Sequence, residues 1–568
     1  MMKFLISHWA AIVLSIFVGA ICIAPQIVAI NDSSYRGIQM FGADAEYDYV
    51  AKINQAQYDD YSNGPFPPDQ SKNYYLAPMM AERAVSLFGK VFGLSAISVN
   101  MIAKFILPSL LFLILYAFFS EMFSARPVAL VAPLFIILSP NLLDFKELIS
   151  FFSLKTEIST FLPYTRPISP QFSSILMFVC LWITYKFVKK EIDIKFAVIY
   201  GLISGLSLYV YIYTWSFVLV FMVIYGLHFF IIRNLQKVKL MAIALLANII
   251  TTIPFFINLL KARTDADYID TTARIGLATT HEPIAGLFMI LGFCALLFLW
   301  PKYYLENIKR YLLYIFVSIT IVLNQQIITG IKLQPGHFHW YIMKPFLIVV
   351  FIFLFFYYIN KITHGRRVRI MTIFVVAVVA LSAVIVQVNS FSSNYDVFIK
   401  DQEFAPIISH LSSNYNEKKT IWAEHRISTL ILAYTKHYAP DNLHTQYYIS
   451  GASRLKDMLF LENRISKIGA NRIDNFSING WNNYIVGRIF GIDSSKQYSD
   501  EKIITSELNT LSSEYNKFKS VPLDNAIKNL KIDLLVVKKN QLLIDPSKLS
   551  FLIKDGEIGQ FLVYRLND

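Results

Sequence analysis

Charge is what this sequence has least of. Only 16% of its 568 residues are Asp, Glu, Lys or Arg, against roughly 25% in an average soluble protein. Cysteine is nearly absent too. The three present, Cys22, Cys180 and Cys294, all fall inside apolar runs and read as small hydrophobes. A disulfide framework and a CxxC redox or metal pair are thereby excluded. The C-terminal third has no P-loop and no GxGxxG, so no nucleotide site is readable there. No internal repeat and no low-complexity tract appears. The net charge of +13 looks like a nucleic-acid signal until it is located. From residue 390 onward there are 22 Lys+Arg against 20 Asp+Glu, so the surplus lies upstream, in short loops between apolar runs. That placement leaves no phosphate-tracking stripe and excludes nucleic acid as the partner.

What is present is apolar bulk: 55% hydrophobic residues and a mean hydropathy of +0.47. No single soluble core absorbs that much Phe, Ile, Leu and Val, and lipid is the solvent that does. Apolar runs lie near 4–24, 96–119, 127–140, 172–188, 196–213, 214–232, 239–259, 284–300, 311–329, 342–360 and 370–388. The first is read as an uncleaved anchor, because Ala24-Pro25 is a poor cleavage site. The uncharged 196–232 stretch is too long for one span and turns back near Tyr211-Ile-Tyr-Thr-Trp215. Arg126, Lys186 to Lys190, Arg233 with Lys237 and Lys239, Lys309-Arg310, and Arg366 to Arg369 occupy alternate loops. The loops between them are acidic or mixed. By the positive-inside rule the basic loops are cytoplasmic. The expected fold is therefore a polytopic α-helical membrane protein of about eleven transmembrane helices with a C-terminal soluble α/β domain. It divides into a transmembrane domain, 1–389, with a long first periplasmic loop, 26–94, and a periplasmic domain, 390–568. The N-terminus is expected in the cytoplasm of a bacterial inner membrane. Gly201-Leu-Ile-Ser-Gly205 predicts close helix packing.

In the C-terminal segment, spacing predicts helices over Asp401 to Ser412 and Ile427 to His437. Thr420-Ile-Trp-Ala predicts a strand, and Lys531 to Lys538 a buried one. Phe551 to Leu566 predicts a closing hairpin that turns at Asp555-Gly556. Strands alternating with helices imply the α/β class.

Three loops on the acidic side carry unusual residues. The first holds Gly42-Ala-Asp44-Ala-Glu46-Tyr47-Asp48-Tyr49-Val-Ala-Lys52-Ile53, alongside Asp59, Asp60 and Asp69. In a helix Asp44 and Asp48 would share a face, and paired carboxylates raise one another's pKa, which suits a general base. The plain reading is a solvated acidic helix start. The second is Tyr164-Thr-Arg166-Pro167-Ile-Ser-Pro170, where the prolines hold Arg166 at the membrane surface. An Arg fixed there can grip a phosphate bidentately; the plain reading is a snorkelling cation. The third is Gln334-Pro-Gly-His337-Phe-His339-Trp340-Tyr341-Ile-Met-Lys344. Two His are too few for a closed metal site, so none is expected there. The pair and Lys344 could bind a lipid phosphate or protonate a leaving group. Just upstream, Asn324-Gln325-Gln326 is a polar cluster inside a span, expected to face a cavity or another helix.

The layout resembles the GT-C superfamily of integral-membrane glycosyltransferases. Shared traits are the cytoplasmic N-terminus, the long first outer loop with its acidic motif, the odd span count and the soluble outer domain. Asp44 stands in the leading position of that family's acidic motif. The second carboxylate is displaced by one residue, which leaves Glu46 and Asp48 both as its equivalent. The resemblance implies a sugar donor on polyprenyl phosphate and a glycan, lipid or protein acceptor. Asp44 is then the general base, with Glu46 as the second catalytic carboxylate. Asp48, Tyr164, Arg166, His337, His339 and Lys344 bind substrate, the cations offsetting charge on the departing phosphate. Some relatives hold a divalent cation, Mg or Mn, through such carboxylates; others use none, and both options stand here. Other classes compatible with the sequence are a polysaccharide polymerase or ligase, a transporter, and a non-enzymatic scaffold.

Overall fold

The computed structural model of the chain describes residues 2–42, 46–58, 65–67, 76–153, 162–189, 193–275, 277–299, 306–362, 365–441, 451–466, 501–543 and 549–567. Asp44, Asp59, Asp60 and Asp69 of the acidic loop lie outside these residues. Among the described residues, eight helices are long and apolar enough to cross a membrane, and three shorter apolar helices accompany them. All eleven coincide with the apolar runs of the sequence.

In chain order, α1 (Met2–Ile30) leads to α2 (Glu46–Gln57) and α3 (Met80–Phe92), both in the first long loop. Next come α4 (Ala96–Phe123), α5 (Arg126–Leu138), α6 (Phe145–Phe152) and α7 (Gln171–Lys189). α8 (Ile194–Leu206) and α9 (Ile212–Ile231) are parted by one tight turn, Ser207–Tyr209, a few residues before the Tyr211–Trp215 stretch where the sequence expected the reversal. α10 (Leu235–Arg263), α11 (Tyr268–Arg274), α12 (Leu287–Leu299) and α13 (Glu306–Leu323) follow. Two single turns, α14 (Gln326–Thr329) and α15 (Pro335–Phe338), precede a π-helical turn, His339–Met343, that opens into α16 (Lys344–Ile362). α5 and α12 have 13 residues each. They rise about 20 Å against a hydrocarbon thickness of about 30 Å, so crossing needs their flanking turns as well.

The bundle is inside-out relative to a soluble protein. Its core is rich in rings: Tyr311 meets Phe118, Tyr185 and Phe221 edge-on at 6.2, 5.3 and 5.5 Å between centroids. Its outside still exposes Ile249, Ile253, Leu297, Phe298 and Phe374, a surface stable only against lipid. α8 and α10 pack closest. A Cβ on Gly201 would stand 2.2 Å from the Ala244 carbonyl oxygen, and one on Gly205 2.6 Å from Thr251 Cβ. The GxxxG thus lets two backbones touch. Basic loops gather at one end: Lys189 donates to the Glu121 carbonyl (3.1 Å) and Lys237 to the Val188 carbonyl (3.0 Å).

α17 (Arg366–Asp401) is one unbroken helix of 36 residues that carries the chain from the bundle into the sheet region. α18 (Ala405–Asn414), α19 (His425–Tyr434), α20 (Gly451–Ile465), α21 (Glu501–Ser520) and α22 (Leu523–Asn529) surround a sheet there. Two residue pairs, β1 (Ala278–Thr279) and β2 (Ile331–Lys332), form a ribbon at the bundle end. The sheet itself has β3 (Ile421–Ala423), β4 (Leu534–Lys538), β5 (Leu552–Ile558) and β6 (Phe561–Leu566) in the order β3-β4-β6-β5. β3 and β4 are parallel; the other pairs are antiparallel. β4 is buried on both faces. Leu534 and Val536 join a core with Ile407, Leu430 and Ile431 of α18 and α19. Leu535 and Val537 join one with Trp422, Met458, Leu461 and Ile527. That is the period-2 alternation of a central strand between two helical layers.

The hairpin turn differs from expectation. The chain reverses at Gly559-Gln560, where Gly559 has φ +58°. Asp555-Gly556 instead sits at a register shift inside β5. A glycine following an acid serves a bulge as well as a turn, so the pair alone does not place the reversal.

Candidate functional site

At the bundle end nearer the sheet, four segments distant in sequence meet. The first is α2. Its Tyr49 hydroxyl donates to the Ser169 carbonyl (3.3 Å). Burial pushes the Tyr49 phenol up, and the nearby Arg166 charge opposes that shift. Glu82 of α3 also acts on Tyr49; burial holds its carboxyl above the usual range, with Lys52 opposing.

The second segment is the proline-stiffened loop. Pro163–Thr165 form one tight turn, and Arg166 follows in extended conformation at φ −73°, ψ 122°. The loop is tied down from below: Gln171 Nε2 donates to the Tyr164 carbonyl (2.5 Å), and the Cys22 thiol lies 3.8 Å from the same oxygen. Tyr164 is fully buried and meets Tyr341 edge-on at 6.5 Å. Arg166 is half-buried.

The third and fourth segments are the start of α9 and the 334–344 stretch. Tyr213 stacks on His337 at 4.4 Å and 12°. Tyr211 lies 5.6 Å from His337 and 6.2 Å from Tyr341. Both ring nitrogens of His337 are engaged: Nδ1 with the Tyr211 hydroxyl and Nε2 with Gln334 Oε1. Gln334 donates its own NH₂ to the Ile275 carbonyl (2.9 Å), which fixes its oxygen toward the ring. Gln334 Oε1 can only accept, so Nε2 carries a proton toward it, while Nδ1 shares the second bond with the Tyr211 hydroxyl. The ring is thereby held in one orientation between two partners. The Arg166 charge reaches Tyr49, Tyr211 and His337 alike.

The other residues expected in this site form two further groups. Lys344 is fully buried and pairs with Asp144 (2.7 Å), its ammonium 3.2 Å above the Trp340 ring. His339 packs edge-on against Phe288 at 4.6 Å, in the same group. Lys344 thus already has a carboxylate partner. Glu46, the first residue of α2, is 0% exposed. Its Oε1 accepts from Lys104 Nζ (2.8 Å) and Asn100 Nδ2 (3.2 Å), and its Oε2 from the Gly42 backbone N–H (2.9 Å). Turned about its amide, Gln26 adds a second acceptor to Lys104 at 2.7 Å. Glu46 thus ties both ends of the 42–46 segment to a lysine inside a membrane helix. Asp48 is half-buried on α2; Asp44 lies outside the described residues.

Sequence reasoning missed Lys104, Glu82 and the pairing of Tyr211 with His337. Lys104 was legible as the one charge between Ala96 and Ser120, since an ionisable group inside a span is a candidate site by default. Among the described residues, no group of three or more His, Cys, Asp or Glu could hold a metal ion. The donor set agrees: both Glu46 oxygens are taken by an ammonium, an amide and a backbone N–H, so Glu46 does not fit a cation ligand.

Elsewhere in the bundle, α9 and α10 enclose a groove of about 360 Å³. Trp215, Leu219, Ile253, Phe256 and Leu260 line it, with Asn248 and Thr252 as its polar members. Trp215 stands two residues beyond Tyr213 and so projects from the other side of α9.

No family model matches this chain, and no curated protein matches it. Among solved structures it is similar to an oligosaccharyltransferase from Archaeoglobus fulgidus, in complex with Zn and sulfate. That match has 12% identity over 93% of this chain and 68% of the other, with a TM-score of 0.46. It is also similar to ArnT from Cupriavidus metallidurans bound to undecaprenyl phosphate (11% identity, 96% and 97% covered, TM-score 0.45). A third is the arabinofuranosyltransferase AftD from Mycobacteria (10% identity, 97% and 40% covered, TM-score 0.46).

Proposed function

We propose that this multi-pass membrane protein is a glycosyltransferase. It moves a sugar from a polyprenyl-phosphate donor to an acceptor hydroxyl on the outer face of a bacterial inner membrane. The observation that carries the reading is the convergence of α2, Arg166, Tyr211 and His337 on one cluster. They come from four distant parts of the chain. A helix next to an acidic segment and a rigidly held cation are the two halves that such a transfer needs. The basic loops gathered at the other end support an outward-facing site, by the positive-inside rule.

In the reaction as proposed, the acceptor hydroxyl attacks the anomeric carbon and Asp44 takes its proton. The bond from that carbon to the phosphate oxygen breaks, and its electron pair leaves with the lipid phosphate. Arg166 offsets the charge that grows there. A positioned base contributes about 10²- to 10⁴-fold. The Tyr211–His337–Gln334 chain orients the phosphate or sugar hydroxyls. The α9–α10 groove receives the lipid tail. Glu46 closes the acidic loop against Lys104, and Asp48 faces the acceptor. Lys344 and His339 serve the outer rim through Asp144.

The test is donor turnover by the purified chain in vesicles of phosphatidylethanolamine and phosphatidylglycerol. A panel of radiolabelled undecaprenyl-phosphate hexoses and pentoses is supplied, with water as the default acceptor. Turnover of at least one donor, competed by undecaprenyl phosphate and lost in Asp44→Asn, is expected. If Asp44→Asn turns over as fast as wild type, the base assignment is wrong. If no donor turns over and undecaprenyl phosphate does not bind, the transferase reading is wrong.

A further inference from the structure

The sheet domain grips α2 along the face next to the one that meets the site. Arg426 of α19 donates through Nε to Asp401 Oδ1 (2.7 Å) and through Nη2 to Asp401 Oδ2 and the Tyr47 hydroxyl. Tyr47 in turn donates to Asp401 Oδ2 (2.9 Å). The guanidinium lies 4.2 Å over the Tyr47 ring, and Phe41 packs against that ring at 3.9 Å. Farther along α2, Asn54 Nδ2 donates to the Leu432 and Thr435 carbonyls (2.9 and 2.6 Å) at the end of α19. Those carbonyls lack helical partners of their own. Before α2, the Gln39 backbone N–H donates to the Tyr434 hydroxyl (2.7 Å). Gln402 accepts from the Arg36 and Ile38 backbone N–H groups (2.9 and 3.3 Å).

The positions on α2 sort by face. Tyr47, Ala51 and Asn54 stand at i, i+4 and i+7 and meet the sheet domain. Glu46, Tyr49, Val50 and Ile53 occupy the neighbouring face. There Glu46 meets Lys104 and Tyr49 meets Ser169 and the Arg166 charge. One helix thus has the domain on one stripe and the site on another.

We propose that Arg426 is a positioning residue: by binding Tyr47 and Asp401 together it fixes the rotation of α2 about its own axis, and so sets where Tyr49 and the acidic segment stand against Arg166. The chemistry of Arg426 fits this task. Burial pulls its pKa down, but the bonds to Asp401 and Tyr47 outweigh that and leave it above its ordinary value. Its planar fork reaches both partners at once, which a lysine cannot reproduce. The lever is long. Side-chain ends sit roughly 6 Å from the helix axis, so a turn of about 10° moves them by about 1 Å. A misplacement of about 1 Å costs on the order of 10²-fold in rate. The consequence for turnover rests on the transferase reading; the consequence for α2 does not.

Two variants separate the grip from the fold of the domain. Tyr47→Phe keeps the ring against Phe41 and leaves the Arg426–Asp401 pair whole, removing only the phenol oxygen. Arg426→Met removes the fork, and Arg426→Lys restores charge without the fork. Hydrogen–deuterium exchange of the full chain in lipid nanodiscs is followed for residues 46–58 and, as the internal reference, 421–438. Tyr47→Phe should speed exchange across 46–58 about tenfold while 421–438 exchanges as in wild type. Arg426→Met should do so more strongly, and Arg426→Lys should recover only part of the protection. With any donor that wild type turns over, Tyr47→Phe should lower kcat about 10- to 100-fold and leave KM within about twofold, because Arg166 still holds the phosphate. Wild-type exchange across 46–58 in both Tyr47→Phe and Arg426→Met overturns the proposal. So does a loosened α2 with kcat unchanged. If wild type turns over no donor and does not bind undecaprenyl phosphate, the transferase reading fails, and the exchange experiment still decides whether Arg426 positions α2.

Discussion

Lys104→Met is the substitution whose cost the structure defines best. The Lys104 side chain is 1% exposed and its partner Glu46 0%. Removing the ammonium leaves a carboxylate in the protein interior with two remaining donors, Asn100 Nδ2 and the Gly42 N–H. Breaking a buried pair by removing one partner costs about 3–5 kcal/mol, because the other charge stays behind uncompensated. At about 2 °C per kcal/mol for a large domain, that is a fall of roughly 6–10 °C in apparent melting temperature. The double variant Lys104→Met/Glu46→Gln should recover most of this loss. The glutamine keeps an oxygen for Asn100 or Gly42, and no charge remains to be solvated. The coupling between the two substitutions should therefore be about 2–4 kcal/mol, with the double variant above Lys104→Met alone. The assay is tryptophan-fluorescence melting of the full chain in lipid nanodiscs at one scan rate. A Lys104→Met melt within about 1 °C of wild type would refute the reasoning. A double variant no more stable than the worse single variant would refute it too.

Other substitutions probe separate parts of the molecule. Asp44→Asn should abolish donor turnover while its melting temperature and its affinity for undecaprenyl phosphate stay at wild-type values. Arg166→Ala should weaken undecaprenyl phosphate binding about 10- to 100-fold, the value of a charge-assisted hydrogen bond of about 1.5–3 kcal/mol; native mass spectrometry or competition reads it, and unchanged affinity removes Arg166 from the phosphate. Burial, and then Glu514, lift the Asp457 carboxyl to about 6 from 3.8. A raised acid favours the fold while protonated and loses that contribution as pH rises through about 6. Asp457→Asn should therefore melt above wild type at pH 7.5, with the gap narrowing as pH falls through about 6 and closing only below 3.8; a pH-independent difference would discount the carboxyl. Gly201→Leu should lower the melting temperature by several degrees, because α8 and α10 must part where the missing Cβ would stand 2.2 Å from the Ala244 oxygen. Gly226→Ala, whose nearest neighbour is Met241 Cγ at 3.4 Å, should melt like wild type.

The membrane anatomy was legible because it follows from a one-dimensional property, local apolarity. Even the reversal between α8 and α9 could be placed from length and the absence of charge. The central strand β4 was legible for a similar reason: Leu534-Leu-Val-Val537 between lysines is what burial on both faces requires. The hairpin turn was misplaced because Asp-Gly serves bulges and turns alike. In the site, Arg166 could be picked out because the flanking prolines restrict the chain locally. The His337 pairing could not, since its proton is set by Tyr211 and Gln334, and Tyr211 lies 126 residues away. The sequence treated Glu46 and Asp48 as interchangeable seconds to Asp44. The structure separates them: Lys104, 58 residues away, claims Glu46. Sequence spacing reports which face of a helix a residue occupies, but not which distant group will be waiting there.

The unbroken run of α17 makes the two halves of the molecule one gear train. A helix of 36 residues is a stiff rod about 54 Å long, and its phase is carried from the bilayer to the sheet. Each residue inserted near 388–397 would rotate the whole sheet domain by about 100° and lift it by about 1.5 Å. Chimeras that exchange this domain between proteins must therefore match the helical phase at the join as well as the junction sequence. Grafts offset by about half a turn would fold on both sides and still carry Arg426 away from Tyr47.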